Sequence, residues 1–337
     1  MDTKVYNLPV IFLAAASFVV VVAGMQAAAA LINPFLLAVF LAMLLSPFLF
    51  WLQRQGVPNA LAVAVILLGF LVVALILMVF VGRSVNTLTR QLPVYQERLG
   101  LIMAQLLTWL NGLGIDTSNV LIADYFSPGK VMSLMSWMLS LVRGLFTNMF
   151  LVFLTVLFIL IEASGFPEKL QAAFPSPEKT LGHFKAIATS TNQYMAVKTI
   201  FSLATGVSVY IILVLIGVDF ALFWGLLAFL LNFIPAIGSI IAAVPAILLA
   251  LLQLGFPAAL LTLLGFLFVN VLFGNFLEPR FMGRRLGLSP LVVIVSLLFW
   301  GWVLGPIGMV LSVPLTMIAK IALAANADTR WLAVLLE

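Results

Sequence analysis

The chain has no cysteine and one histidine, His183, among its 337 residues. Disulfide staples and thiolate metal sites are thereby excluded, and a zinc or histidine-based centre lacks the partners it needs. Charge is scarce as well: 8% of the residues carry one, against roughly 25% in a soluble chain. From Val5 to Gln53 no side chain is charged at all. No G-x-x-x-x-G-K-[ST] loop is present, which excludes nucleotide hydrolysis of the usual kind. The 16 basic and 11 acidic residues leave a net charge of +5, but they are spread over separate loops, without the clustering of a nucleic-acid-binding face. With one histidine and no thiol there is little from which to build a nucleophile–base pair, so neither enzyme activity nor a cofactor is expected.

What is present is apolar. Such side chains make up 64% of the chain, and the mean hydropathy is +1.26. Too few polar groups remain to cover a water-facing surface. An all-α membrane protein is expected, because helices satisfy their own backbone groups in lipid. A bilayer core takes about 20 helical residues. On that measure full spans are expected near residues 8–32, 34–52, 60–81, 144–161, 199–216 and 257–277. The first run is too long for a signal-peptide core and leads straight into another apolar run. Asn33-Pro34 is the expected hinge between the first two spans, since proline disfavours helix at the residue before it.

Between Arg83 and Arg143 charges recur, and Leu88, Leu92, Tyr95, Leu99, Ile102, Leu106 and Leu110 follow at helical steps of three or four. Ser127-Pro128 then opens a second Met- and Leu-rich helix. This predicts an amphipathic helical insertion after the third span. Its stripe, with no obvious partner inside the chain, is taken as a sign of assembly into a homo-oligomer. The polar connector that follows the fourth span, with Glu168, Lys169, Glu178, Lys179, His183, Lys185 and Lys198, reads as a solvated face.

The last third carries two long apolar stretches with internal breaks. Phe220–Leu254 would be about 50 Å long if straight, more than the roughly 30 Å of a bilayer core, and it is interrupted at Asn232-Phe-Ile-Pro235-Ala-Ile-Gly238. Ser289–Ala325 is interrupted at Gly305-Pro306-Ile307-Gly308. Each break is followed by a Val-Pro pair, Val244-Pro245 and Val313-Pro314. Backbone freed from a helix in lipid survives only where protein or a wet cavity satisfies it, and matched interrupted segments point to a transporter binding site. The two are read as broken, re-entrant helical hairpins beside about six full spans, with eight full spans as the alternative. The distribution of arginines prefers re-entry. With the N-terminus cytoplasmic, a Phe220–Leu254 stretch that returns to its own side puts Arg280, Arg284 and Arg285 inside, as the positive-inside rule asks. The C-terminus is then cytoplasmic too. The expected organisation is three spans in residues 1–82, the insertion in 83–143, and spans four and five with their connector in 144–217. A core with both broken helices and an intervening span follows in 218–325, and a tail in 326–337.

Asn232-Phe-Ile-Pro235-x-Ile-Gly238, Pro245, Glu278-Pro279-Arg280, Met282-Gly283, Leu288-Ser-Pro290, Gly305-Pro-x-Gly308 and Val313-Pro314 together resemble the autoinducer-2 exporter family of bacterial multi-span membrane proteins. The likeness extends over nearly the whole chain, with Ser289 standing where the family usually has histidine. The resemblance implies a permease of the bacterial inner membrane that exports an autoinducer-2-like signal, or a sodium–proton antiporter; a non-transporting scaffold is the remaining alternative. The expected partners are a small polar solute, Na+ or H+, and lipid.

Candidate solute- and ion-binding positions are Asn232, Pro235, Gly238, Asn270, Asn275, Glu278, Gly305, Pro306 and Gly308. Broken-helix backbone offers carbonyls to a cation and amides to an anion or hydroxyl group, so both breaks are expected to face one cavity. Asn270 and Asn275, five apart, share an α-helical face poorly. Glu278 is the leading ion-coupling carboxylate because charge at membrane depth is costly, with a loop-end pair to Arg280 or Arg284 as the other reading. Glu162 and Asp219 border spans as lesser candidates, and Trp51, Trp224, Trp300 and Trp302 read as interface anchors.

Overall fold

In the computed structural model, which describes residues 8–113, 128–147, 149–162, 177–282, 288–325 and 328–336, every regular element among the described residues is helical. In chain order these are α1 (Leu8–Ala27), α2 (Ala29–Arg54), α3 (Asn59–Gly112), α4 (Pro128–Thr147), α5 (Met149–Glu162), α6 (Pro177–Ile216), α7 (Ala221–Leu231) and α8 (Gly238–Leu254). They continue with α9 (Phe256–Val269), a π-helical segment (Asn270–Leu277), α10 (Glu278–Met282), α11 (Pro290–Ala325) and α12 (Arg330–Leu335). Among the described residues, five helical stretches are long and apolar enough to cross a membrane: Ala29–Arg54, Asn59–Gly112, Ala188–Ile216, Phe256–Phe281 and Pro290–Ala325.

The surface is that of a lipid-embedded protein. Its accessible area is 19986 Å², whereas a water-soluble monomer of 36.6 kDa exposes about 13,500 Å². Large apolar side chains stand exposed on it, Leu215, Phe150 and Leu298 among them.

The chain breaks between α1 and α2 at Ala28 (φ −91°, ψ 6°), not at Asn33-Pro34. Pro34 removes one rung of α2 without ending it, as membrane helices tolerate. Asn33 turns its carboxamide outward from α2 instead, donating from Nδ2 to the Leu304 carbonyl at 3.0 Å. α2, α3 and α5 meet around Leu49, Val63, Ile66, Val152 and Leu160.

α3 runs unbroken for 54 residues, about 80 Å, so the expected boundary at 82/83 falls inside one helix. Its amphipathic stripe has a partner within the chain. Leu88, Tyr95 and Leu99 pack with Met132, Met135 and Leu139 of α4 and with Leu249 and Leu252 of α8. That packing covers the stripe from Leu88 to Ile102, whereas Leu106 further along it is exposed and Leu110 half-buried.

α6 is the central helix, touching α2, α7, α9 and α11. It meets α7 at Gly206 and Gly225, where a Cβ on either would press against the other's carbonyl oxygen. Trp224 of α7 is 1% exposed, so it is a core side chain and not the interface anchor its sequence position suggested.

Both broken stretches fold back on themselves. In the first, Asp219 just before α7 meets Gln253 near the end of α8. The Asp219 backbone N–H donates to Gln253 Oε1 at 3.0 Å, and Gln253 Nε2 donates to Asp219 Oδ2 at 2.8 Å. The turn between them uses Ala236 in the left-handed region (φ 62°) and places Gly238 where a Cβ would overlap the Leu231 carbonyl oxygen. In the second, α11 reverses at Gly305 (φ 68°, ψ −149°). Thr316 Oγ1 there donates to Ser296 Oγ at 2.8 Å and accepts from Trp300 Nε1 at 3.0 Å, joining the two arms. Gly308 also sits against the Trp300 carbonyl.

The hairpins enter from opposite ends of the molecule. The base of the first lies beside the far part of α3, where Gln253 Nε2 donates to Tyr95 Oη at 3.1 Å and Arg98 Nη1 donates to the Leu252 carbonyl at 3.2 Å. α9 and the π-helical segment then carry the chain along the bundle to Met282, and the second hairpin starts from Pro290 at that end. Phe233 from the first turn and Leu311, Val313 and Met317 from the second hairpin share one core with Phe40.

Candidate functional site

A cavity of about 330 Å³ opens beside the turn of the first hairpin. The turn contributes Asn232, Ile234, Pro235, Ala236 and Ser239; α6 contributes Tyr194 and Lys198. Asn270, Gly274 and Asn275 come from the π-helical segment and Glu278 from α10, and Val293 and Val313 come from α11.

The π-helical segment assembles one wall. Its i→i+5 bonding sets residues five apart nearly one above another, which an α-helix does not. Asn270 and Asn275 therefore both reach the cavity, against the expectation from α-helical spacing. Ser239 Oγ donates to Asn270 Oδ1 at 2.8 Å, tying this wall to the hairpin turn. Asn275 is exposed and stands at the mouth.

Glu278 is 8% exposed, and its Oε1 accepts from Lys198 Nζ at 2.7 Å, an ion pair with side chains 7% and 10% exposed. The sequence placed Lys198 on a solvated connector and offered Arg280 or Arg284 as partner for Glu278. The structure corrects both points: α6 extends well past that connector and buries Lys198, while Arg280 lies over the Phe276 ring, 3.8 Å from its centroid. Arg284 lies outside the described residues. A buried charge needs a close counter-charge, because desolvation otherwise costs several kcal/mol. A lysine with no pairing motif around it gives no such signal in sequence; its one clue is that it directly precedes a long uncharged run.

Asn232 is buried and donates from Nδ2 to Ser202 Oγ at 3.0 Å, holding the turn onto α6. Gly238 does not line the cavity; it permits the tight reversal. Gly305, Pro306 and Gly308 are absent from the lining as well. Pro306 has no N–H to give the Trp302 carbonyl, and the reversal at Gly305 interrupts the helical ladder. Gln26 Nε2 supplies the Trp302 carbonyl at 3.4 Å and Asn33 Nδ2 the Leu304 carbonyl. Freed carbonyls of the second break are thus taken up by α1 and α2. The polar cavity is lined by the first break, while Phe233 of the first break and Ile307 of the second line a separate apolar cavity of about 230 Å³.

Asp219 belongs to the base of the first hairpin and Glu162 is exposed at the end of α5; neither lines the cavity. His183 lies on α6, with its side chain outside the described residues. Among the described residues no three carboxylate or histidine side chains converge as a metal site requires.

The model of the AI-2E family transporters matches residues 9–328. The AI-2 transport protein TqsA of Escherichia coli strain K12 is 42% identical over 95% of this chain and 93% of its own length. YhhT of the same strain is 38% identical over 97% of this chain and 93% of its own length. A Haemophilus influenzae protein is 37% identical over 98% and 97%. The last two bear names that assign them to transport without naming a solute.

Proposed function

From the premise that the chain belongs to the AI-2E transporter family, we propose that it carries a small polar solute, autoinducer-2 or a molecule like it, across the bacterial inner membrane through the cavity between Lys198, Glu278 and the first hairpin turn. The observation that carries this reading is polar lining inside an otherwise apolar bundle: three carboxamides, a serine, a tyrosine and a buried ion pair face about 330 Å³ of space. Such groups are expensive to hold at membrane depth and are kept there where something polar passes. The name of TqsA supports the choice of solute.

The ends are assigned by charge. Arg280 and the arginines after it are placed at the cytoplasmic face, with both termini, and the base of the first hairpin at the opposite face. With no nucleotide-binding loop, transport runs on a gradient. Sodium–proton exchange is the weaker reading, because it needs a carboxylate free for the cation, and Glu278 is engaged by Lys198.

Purified protein in liposomes loaded with autoinducer-2 tests the reading. Efflux above that of protein-free vesicles, unchanged by replacing Na+ with choline, is the expected result. Absent efflux with sodium-driven proton movement would transfer the assignment to antiport.

A further inference from the structure

We propose that the Lys198–Glu278 pair makes the cavity a charge filter, which admits uncharged hydroxylated solutes and rejects ions of either sign. This rests on the reading of the cavity as the solute site and adds what that site selects against.

The lining holds one ammonium and one carboxylate, 2.7 Å apart, so its formal charge sums to zero. Arg280, two residues past Glu278, is exposed and stacked on Phe276. The rest of the polar wall is Tyr194, Asn232, Ser239, Asn270 and Asn275. Carboxamides and hydroxyls each offer both a donor and an acceptor, so they answer a solute hydroxyl in either sense. An anion can gain a counter-charge here only by drawing Lys198 away from Glu278, which strands a buried carboxylate. A cation strands the ammonium by the same exchange. Leaving one member of a buried pair without its partner is strongly unfavourable. A neutral hydroxylated molecule asks for neither exchange, and it finds the pair intact as one more donor–acceptor edge.

Equilibrium binding of three size-matched probes to the purified protein in nanodiscs tests this, using glucose, gluconate and glucosamine in calorimetry. Wild-type protein and the double variant Lys198→Gln/Glu278→Gln, both neutral at the pair, bind glucose in preference to either ion. Glu278→Gln alone leaves the ammonium and moves preference to gluconate. Lys198→Gln alone leaves the carboxylate and moves it to glucosamine. Each shift is on the order of tenfold or more, as a nearby unscreened charge implies. The same ranking in all four proteins would overturn the filter, as would wild-type protein that binds no glucose. Should a single variant fail to fold, the wild-type ranking decides alone, since equal affinity for glucose and either ion is incompatible with the proposal. Glucose binding by a protein that moves no solute in vesicles would remove the transport reading and leave the filter. Autoinducer-2 flux with no charge ranking in the binding would do the reverse.

Discussion

Lys198 and Glu278 are paired at 2.7 Å with both side chains nearly buried, so each charge is stabilised mainly by the other. Lys198→Met should lower stability by about 3–5 kcal/mol, because it leaves a buried carboxylate alone. Adding Glu278→Leu should return most of that loss, which thermal melting in detergent would read; a double variant as weak as the single one would mean the pair is not coupled. The glycine at the first turn is a different kind of constraint. Gly238→Ala drives a methyl group into the Leu231 carbonyl and should cost about 1–3 kcal/mol. Pro235→Ala loses only the restriction on the unfolded chain, less than about 1 kcal/mol. Equal melting of these two variants would show that the reversal has room to spare. It also follows that Gly238→Ala cannot separate a role in transport from a role in folding, whereas Pro235→Ala can.

Each hairpin is stitched by polar contacts between its arms, Asp219 with Gln253 in one and Ser296 with Thr316 and Trp300 in the other. A helix of 11 residues such as α7 is about 16 Å long and reaches only partway through a bilayer core of about 30 Å, so the first turn lies at depth. The two ends of this element path can be assigned by labelling, since the chain is free of cysteine. Leu254→Cys, at the hairpin base, should react with a membrane-impermeant maleimide from outside the cell, and Phe281→Cys only after the cytoplasm is opened. Reaction of both from the same side would break the proposed topology. The breaks themselves differ in what holds them. Asn33→Leu orphans the Leu304 carbonyl and should cost about 1–3 kcal/mol of stability without changing solute affinity. Asn275→Leu, at the exposed mouth of the cavity, should weaken solute binding several-fold with little change in melting. The opposite pattern in paired melting and binding measurements would return the second break to the solute path.

The whole molecule is an open helical array whose surface far exceeds that of a folded soluble chain, and its stability depends on lipid covering that surface. Within it, the far half of α3 serves as an arm whose inner stripe, Leu88 to Ile102, is covered by α4 and the base of the first hairpin, while Leu106 and Trp109 further out stay exposed. Composition and spacing alone were enough to read an all-helical membrane protein and its two interrupted stretches, and to single out Asn232, Pro235, Asn270, Asn275 and Glu278 as candidates, though not to bring them to one cavity. Those features are legible because lipid leaves few options: apolar runs must be helices, and polar groups or breaks inside them must be answered locally. Which groups answer them was settled by packing. Lys198 found Glu278 across 80 residues of chain, Asn33 capped a carbonyl 271 residues away, and a π-helical register brought two asparagines to one wall. Contacts of that kind depend on how whole helices approach one another, and helical spacing along the chain carries no record of it.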